Sequence, residues 1–73
     1  GGAGVGKILL RHMLERAPSL DIHNVIALVF GHNYPSLNLF HRFGFEEWGR
    51  LPQVCDLDTM LADVVILGKK IVD

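Results

Sequence analysis

Residues 1–17 read GGAGVGKILLRHMLERA, a stretch in which a run of glycines leads directly into an amphipathic helix. Gly4 and Gly6 carry no side chains, so an anion can approach the main chain closely at these two positions. Lys7 adds a positive charge, and the positive end of the helix dipole lies at the same place. The stretch therefore predicts a binding site for a pyrophosphate, and hence for a phosphorylated cofactor. In the alternative interpretation, the glycines are only a flexible start to the helix.

Two better-known glycine loops do not fit this stretch. Gly1 to Lys7 satisfies the pattern GxxxxGK, but Ile8 follows where a triphosphate-binding loop needs Ser or Thr to reach magnesium. A dinucleotide-binding GxGxxG that began at Gly2 would require glycine at position 7, which is Lys7. The glycines thus indicate a phosphorylated cofactor of another kind.

Length and composition restrict the function classes. Seventy-three residues make at most one small domain, and such a domain buries only about 60% of the surface of its unfolded chain. Because 49% of the residues are hydrophobic, we expect part of the apolar surface to meet another chain or a further segment. Seven Lys and Arg against eight Asp and Glu give a net charge of −1. No basic run is present, so a nucleic-acid partner is not expected.

The cysteine, histidine and hydropathy patterns indicate a protein without disulfides, metal sites or membrane-spanning segments. Cys55 is the single cysteine, which excludes an internal disulfide and is compatible with a reducing compartment. The longest apolar runs, residues 25–30 and 64–67, are too short to cross a bilayer. We therefore expect a soluble, cytoplasmic protein without a membrane partner. The four histidines lie 9 to 11 residues apart, which matches no common metal spacing, so no metal site is predicted.

Periodicity predicts five elements. The first helix has an apolar stripe and ends before Pro18; the stripe comprises Val5, Ile8, Leu9, Met13 and Ala17. Residues 25–30 form an apolar run rich in β-branched side chains, which predicts a central strand covered on both faces. A capping Asn33 and a first-turn proline begin a second helix that Gly44 ends. Two further strands are predicted over residues 45–54 and 61–71, with a bulge or sheet edge near Gly49 and Pro52.

Four of these features carry a family resemblance when they are taken in order. They are the glycine stretch Gly4-Val5-Gly6-Lys7 with its helix, the apolar strand, the pair Asn33 and Ser36, and residues 39–45, LFHRFGF. Together they closely resemble the C-terminal half of the GNAT superfamily of N-acetyltransferases. Residues 49–54, GRLPQV, resemble most the phosphinothricin acetyltransferase branch. The resemblance covers almost the whole chain.

The resemblance implies a fold and a domain. The expected class is α/β, a partial GNAT fold in the order helix-strand-helix-strand-strand that lacks the N-terminal half of the sheet. Residues 1–73 are then a single partial acetyltransferase domain, the half that binds acetyl-coenzyme A. The absent half would supply the strand before the glycines and the residues that select the amine.

The resemblance also implies a cosubstrate, its contacts and a reaction. Main-chain amides near Gly4, Val5, Gly6 and Lys7 would bind the pyrophosphate of acetyl-coenzyme A. Asn33 and Ser36 would contact its pantetheine arm or phosphates. A small-molecule amine or amino acid would attack the thioester, while a base removes a proton and an acid protonates the departing thiolate. The residues that act as acid and base are not identified.

The chain departs from the family pattern at two positions. The family motif begins with Gln or Arg at the position of Gly1, and many relatives have Tyr or His at the position of Phe40. Phe40 cannot donate a proton, so we expect little or no activity from the isolated chain.

Two function classes remain open. One is an acetyltransferase fragment; the other is a non-catalytic remnant that binds coenzyme A or serves as an oligomerisation module. In either case the free edge of the apolar strand predicts a homo-oligomer or pairing with the missing N-terminal half.

Overall fold

The computed structural model describes residues 2–72, which form two helices, a short 3₁₀ helix and three strands. The elements are α1 (Gly2–Arg16), the 3₁₀ helix (Pro18–Leu20), β1 (Asn24–Phe30), α2 (Tyr34–Arg42), β2 (Glu46–Asp56) and β3 (Leu61–Lys70). The predicted order helix-strand-helix-strand-strand is confirmed. Pro18 ends α1 as predicted, but it also begins the 3₁₀ helix, which the sequence analysis did not predict. Gly1, where the chain departs from the family motif, lies outside the described residues.

The sheet has β3 at its centre, in the order β1-β3-β2, and both neighbours run antiparallel to β3. Residues 57–60 turn the chain back after β2, so β3 lies beside β2 and still bonds β1 on its other side. The expectation that residues 25–30 form the central strand is therefore wrong for the described chain. Within residues 2–72, β1 is an edge strand.

The two faces of β1 differ in burial, which corrects the expectation that both are covered. Val29 is buried, whereas Ile26 and Leu28 are 53% and 66% exposed. The helices cover only one face of the sheet, because α1 and α2 both contribute to the cluster that contains Val29. The continuous apolar run indicates that both faces of β1 would be buried favourably. Within the described residues, only one of the two faces is covered.

The core lies between the covered sheet face and the two helices. Its buried members are Leu10, Val29, Phe45, Val65 and Leu67. From α1 the core takes Leu10, with Met13 and Leu14 packed against it, whereas Val5, Ile8 and Leu9 of the predicted stripe are 56–64% exposed. The reason is that α1 turns its Gly6 side toward α2, where a Cβ on Gly6 would lie 4.0 Å from Leu39 Cδ2.

The β2–β3 pair is irregular at two places, as the glycine and proline in β2 predict. Trp48 is the extra residue where the register shifts between Glu47 and Gly49. Its indole lies across Gly68 so closely that a Cβ at Gly68 would overlap the ring, and its Nε1 donates to Glu46 Oε1 at 2.9 Å. The second shift falls between Leu51 and Cys55.

Candidate functional site

A cleft of about 700 Å³ opens between the start of α1 and one side of α2. The residues that line it are Gly4, Gly6, Lys7, Pro35, Ser36, Asn38, Leu39 and Arg42. Four residues that the sequence analysis assigned to the cofactor, Gly4, Gly6, Lys7 and Ser36, therefore meet at one place although about 30 positions separate them in the chain.

The glycines lie within the first two turns of α1 rather than ahead of it. Because α1 begins at Gly2, the N–H of Gly4 belongs to the first turn, where the helical pattern supplies no acceptor. The N–H groups of Gly6 and Lys7 lie in the second turn, where they follow the i to i−4 pattern. Gly6 also faces α2, because a Cβ at this position would make an ordinary contact of 4.0 Å with Leu39 Cδ2.

The other two predicted contacts, Val5 and Asn33, do not line the cleft. The Val5 side chain is 58% exposed. Asn33 is the N-cap of α2, and its Oδ1 accepts a hydrogen bond from the Ser36 N–H at 3.3 Å. Asn33 and Pro35 thus fix the first turn of α2. This turn places Ser36 at the cleft.

Asn38 and Arg42 also line the cleft, although neither was among the predicted site residues. Pro35, Asn38, Leu39 and Arg42 follow the spacing i, i+3, i+4, i+7, so they share one face of α2. This spacing is visible in the sequence and could have identified both residues once Ser36 was placed at the start of the helix.

The cleft is electropositive. Among residues 2–72, none of those that line it is Asp, Glu or His, whereas Lys7 and Arg42 are both exposed there. Within the same part of the chain, the ion pairs involve Arg50 with Glu47 and with Asp63, and neither cation of the cleft. Two cations that face the cleft without acidic neighbours suit an anionic ligand.

Phe40 and His41 offer the cleft no proton donor. The Phe40 ring packs edge-on against Phe45, with 5.0 Å between the ring centroids. His41 Nδ1 lies 3.1 Å from the Phe45 carbonyl oxygen, and because a carbonyl can only accept, this nitrogen carries the proton. His41 is not among the residues that line the cleft.

A second, smaller cavity of about 310 Å³ is lined by residues near the loop that joins β1 to α2 and by residues of β2, β3 and the turn between them. Asp63 is central to it: Oδ2 accepts from Arg50 Nη1 and Oδ1 from the Gln53 N–H, both at 2.8 Å. These bonds to the backbone and to Arg50 hold the pKa of Asp63 below its ordinary value. Its ionised form therefore stabilises the fold at neutral pH, and this contribution is lost as the pH falls through the lowered pKa.

Asp63 fixes the second irregularity of the hairpin. Residues 52–54 of β2 lie opposite this one residue of β3, and Gln53 adopts a left-handed backbone with φ of 50°. Gly31 completes the arrangement, because its N–H donates to the Asp63 carbonyl at 2.9 Å and a Cβ there would lie 2.9 Å from Arg50 Nη1. The end of β1, the bulge and the second cavity are therefore held by one residue, Asp63, through its main-chain carbonyl and its carboxylate.

In the part of the chain that the structure describes, no three His, Cys, Asp or Glu side chains are grouped to hold a metal ion. Neither described helix has the length and apolar character that crossing a bilayer requires.

Comparison with known proteins identifies the family. The profile of the Acetyltransferase (GNAT) family matches residues 2–45. A Bacillus subtilis (strain 168) protein named as a phosphinothricin acetyltransferase is 46% identical over 70 residues, which are 96% of this chain and 43% of that protein. The chain belongs to the GNAT acetyltransferase family.

Solved structures show the same fold in GNAT proteins. A crystal structure titled as a phosphinothricin N-acetyltransferase is 44% identical with a TM-score of 0.90, and the match covers 96% of this chain and 42% of that one. An acetyltransferase from Salmonella typhimurium, solved with its cofactor acetyl-CoA, is 24% identical with a TM-score of 0.88 over 96% of this chain and 40% of that one. The three-stranded sheet and its helices are thus part of a GNAT fold, and the resemblance inferred from the sequence is confirmed.

The chain spans less than half the length of the relatives that it matches. GNAT acetyltransferases use acetyl-coenzyme A as acetyl donor. The cleft between α1 and α2 contains four of the six residues that the sequence predicts to contact this cofactor.

Proposed function

We propose that this chain is the acetyl-coenzyme A-binding part of an N-acetyltransferase, and that the cleft between α1 and α2 holds the cofactor. The observation that supports this most directly is the meeting of Gly4, Gly6 and Lys7 with Ser36 in one electropositive cleft. The first turn of α1 offers a free N–H and the positive end of the helix dipole to the pyrophosphate. Ser36, presented by the Asn33 cap, offers a hydroxyl to the pantetheine arm or a phosphate.

The proposed acetyl acceptor is a small-molecule amine of the amino-acid class. This part of the proposal comes from two relatives named for phosphinothricin, an amino acid analogue. The amine nitrogen would attack the thioester carbon, the acetyl–sulfur bond would break, and coenzyme A would leave as its thiol. Residues of this chain bind and orient the donor in that reaction.

The second candidate function is a non-catalytic module that binds coenzyme A. Two observations favour it for this chain alone. Phe40 has no ionisable group, and no described residue that lines the cleft is an acid or a histidine. Both candidate functions include binding of coenzyme A. Only the acetyltransferase also catalyses acetyl transfer.

We also propose that residues 1–73 act as one unit of a domain that is completed through β1. Along residues 2–72 no strand pairs with the outer edge of β1, and Ile26 and Leu28 are more than half exposed on its uncovered face. Such an edge accepts another strand, either from a second copy of this chain or from the remainder of an acetyltransferase domain. Sedimentation at micromolar concentration tests this proposal, and a stable, folded 8.1 kDa monomer would contradict it.

Substitution of Gly6 tests the cofactor site. We expect Gly6→Asp to weaken coenzyme A binding by at least tenfold in a calorimetric titration, because a carboxylate in the cleft repels the pyrophosphate. One like-charge contact at about 4 Å costs about 1 kcal/mol in water and about 4 kcal/mol near a protein surface. A Cβ at Gly6 makes only an ordinary 4.0 Å contact with Leu39, so the fold should tolerate the substitution.

Gly6→Asn is the matched control, because Asn has nearly the size of Asp without its charge. We expect it to retain most of the affinity. Equal binding of coenzyme A by the wild type and Gly6→Asp would exclude the cleft as the phosphate site.

A further inference from the structure

We propose that Arg42 recognises the 3′-phosphate of coenzyme A and makes the cleft prefer the 3′-phosphorylated cofactor to its dephosphorylated form. This inference rests on the proposed coenzyme A site and assigns a role to a residue outside the glycine motif and the Asn33–Ser36 pair. The observation behind it is that Arg42 lines the cleft without an acidic partner among the described residues.

The position of Arg42 separates it from the other polar groups of the cleft. Ser36 lies in the first turn of α2 and Arg42 is the last residue of that helix. Six residues at the helical rise correspond to about 9 Å along the axis. Leu39, which lies between them, faces Gly6 of α1. A ligand that contacts both Ser36 and Arg42 must therefore extend along α2 and past the start of α1.

The number and type of cations in the cleft match the anionic groups of the cofactor. Coenzyme A carries a pyrophosphate within its chain and a separate phosphate monoester on the ribose. The start of α1 supplies a free N–H, the positive end of the dipole and Lys7, which together suit the pyrophosphate. Arg42 lies at a helix C-terminus, where no unpaired N–H is available, so it must act through its guanidinium group.

A guanidinium group is well suited to a terminal phosphate. Its planar fork can donate two parallel hydrogen bonds to two oxygens of one phosphate, and a monoester offers three oxygens. Arg42 is exposed where it lines the cleft, which leaves its guanidinium group accessible to a ligand. An arginine in the last turn also stabilises the helix dipole, but that effect is independent of which cofactor form is bound.

The test is a calorimetric comparison of coenzyme A with dephospho-coenzyme A on the 73-residue chain. For the wild type we expect coenzyme A to bind about tenfold more tightly, the size of one charge-assisted hydrogen bond at an exposed site. Arg42→Gln should remove this preference by weakening coenzyme A alone, and Arg42→Lys should retain part of it. Arg16→Gln is the matched control, because Arg16 is the last-turn arginine of α1 and does not line the cleft. Circular dichroism of each variant checks that the helices remain.

The outcomes separate this inference from the proposed function. If the wild type binds neither ligand, the proposed cofactor site is wrong and the inference is wrong with it. If the wild type binds both ligands equally, or if Arg42→Gln weakens both by the same factor, the cofactor site stands and the role of Arg42 is wrong. A preference that survives in Arg42→Gln would also overturn the inference.

Discussion

We expect Leu67→Ala to lower the free energy of unfolding of the chain by about 2–5 kcal/mol, which is a large part of its total stability. Leu67 is fully buried in the central strand β3, between Ala27 of β1 and Glu47 of β2 in the register, and it belongs to the core cluster. Truncation of a buried leucine to alanine costs about 2–5 kcal/mol, from lost apolar transfer and the cavity that remains. A chain of 73 residues has a total free energy of unfolding of only about 4–11 kcal/mol.

Urea unfolding followed by circular dichroism measures this effect. Leu61→Ala is the matched control, because Leu61 lies in the same strand with 52% of its surface exposed. We expect that control to lower the free energy of unfolding by less than about 1 kcal/mol. Similar midpoints for the two variants would show that Leu67 is not part of the core.

We expect the 73-residue chain to release no thiol from acetyl-coenzyme A above the uncatalysed rate, whichever amine is supplied. General acid–base assistance contributes about 10²–10⁴-fold to such reactions, and Phe40 offers no proton. Correct placement of two reactants can lower a barrier by about 7–11 kcal/mol. The described cleft positions the donor, and no described residue that lines it is an acid or a histidine able to serve as base.

A thiol-release assay with acetyl-coenzyme A and a panel of amines and amino acids checks this result. The assay is then repeated after adding the part of the Bacillus subtilis relative that this chain does not match. Turnover that appears only in the mixture would support the acetyltransferase fragment over the non-catalytic module. Turnover by the chain alone that is lost in Asn33→Ala would show that this chain completes an active site by itself.

The element order and the α2 cap were predictable because local rules determine them. Asn33 and Pro35 begin α2 through a side-chain cap and a fixed φ, and Gly44 follows its end with φ of 87°. These features act within a few residues of one another. The irregular pairing of β2 was likewise visible in Gly49 and Pro52.

The face of α1 and the place of β1 were not predictable from local patterns. Two apolar stripes coexist on α1, one through Ile8 and one through Leu10, and periodicity alone does not say which meets the core. The core takes the side that carries Leu10, and the residues that Leu10 joins there come from β1, β3 and the position just before β2, far away in the sequence. The apolar run of β1 indicates a strand with two apolar faces, but it carries no information on which neighbours are present.

The candidate site was predictable only where its residues lie close together in the sequence. The glycines and Lys7 form a recognisable stretch, whereas Arg42 enters the cleft only because α1 lies beside one face of α2. Asn33 was correctly identified as a cap, and its position outside the cleft lining follows from the bond that its side chain makes to the Ser36 N–H.

The Trp48 indole, which lies across Gly68, provides an intrinsic fluorescence probe of the sheet. Trp48 is the single tryptophan of the chain, it is 41% exposed, and Gly68 adjoins Leu67 of the core. Its emission therefore responds to the pairing of β2 with β3 without any label. Trp48 is absent from the residues that line the cleft, so a change in its fluorescence reports the sheet, and occupancy of the cleft can be followed independently.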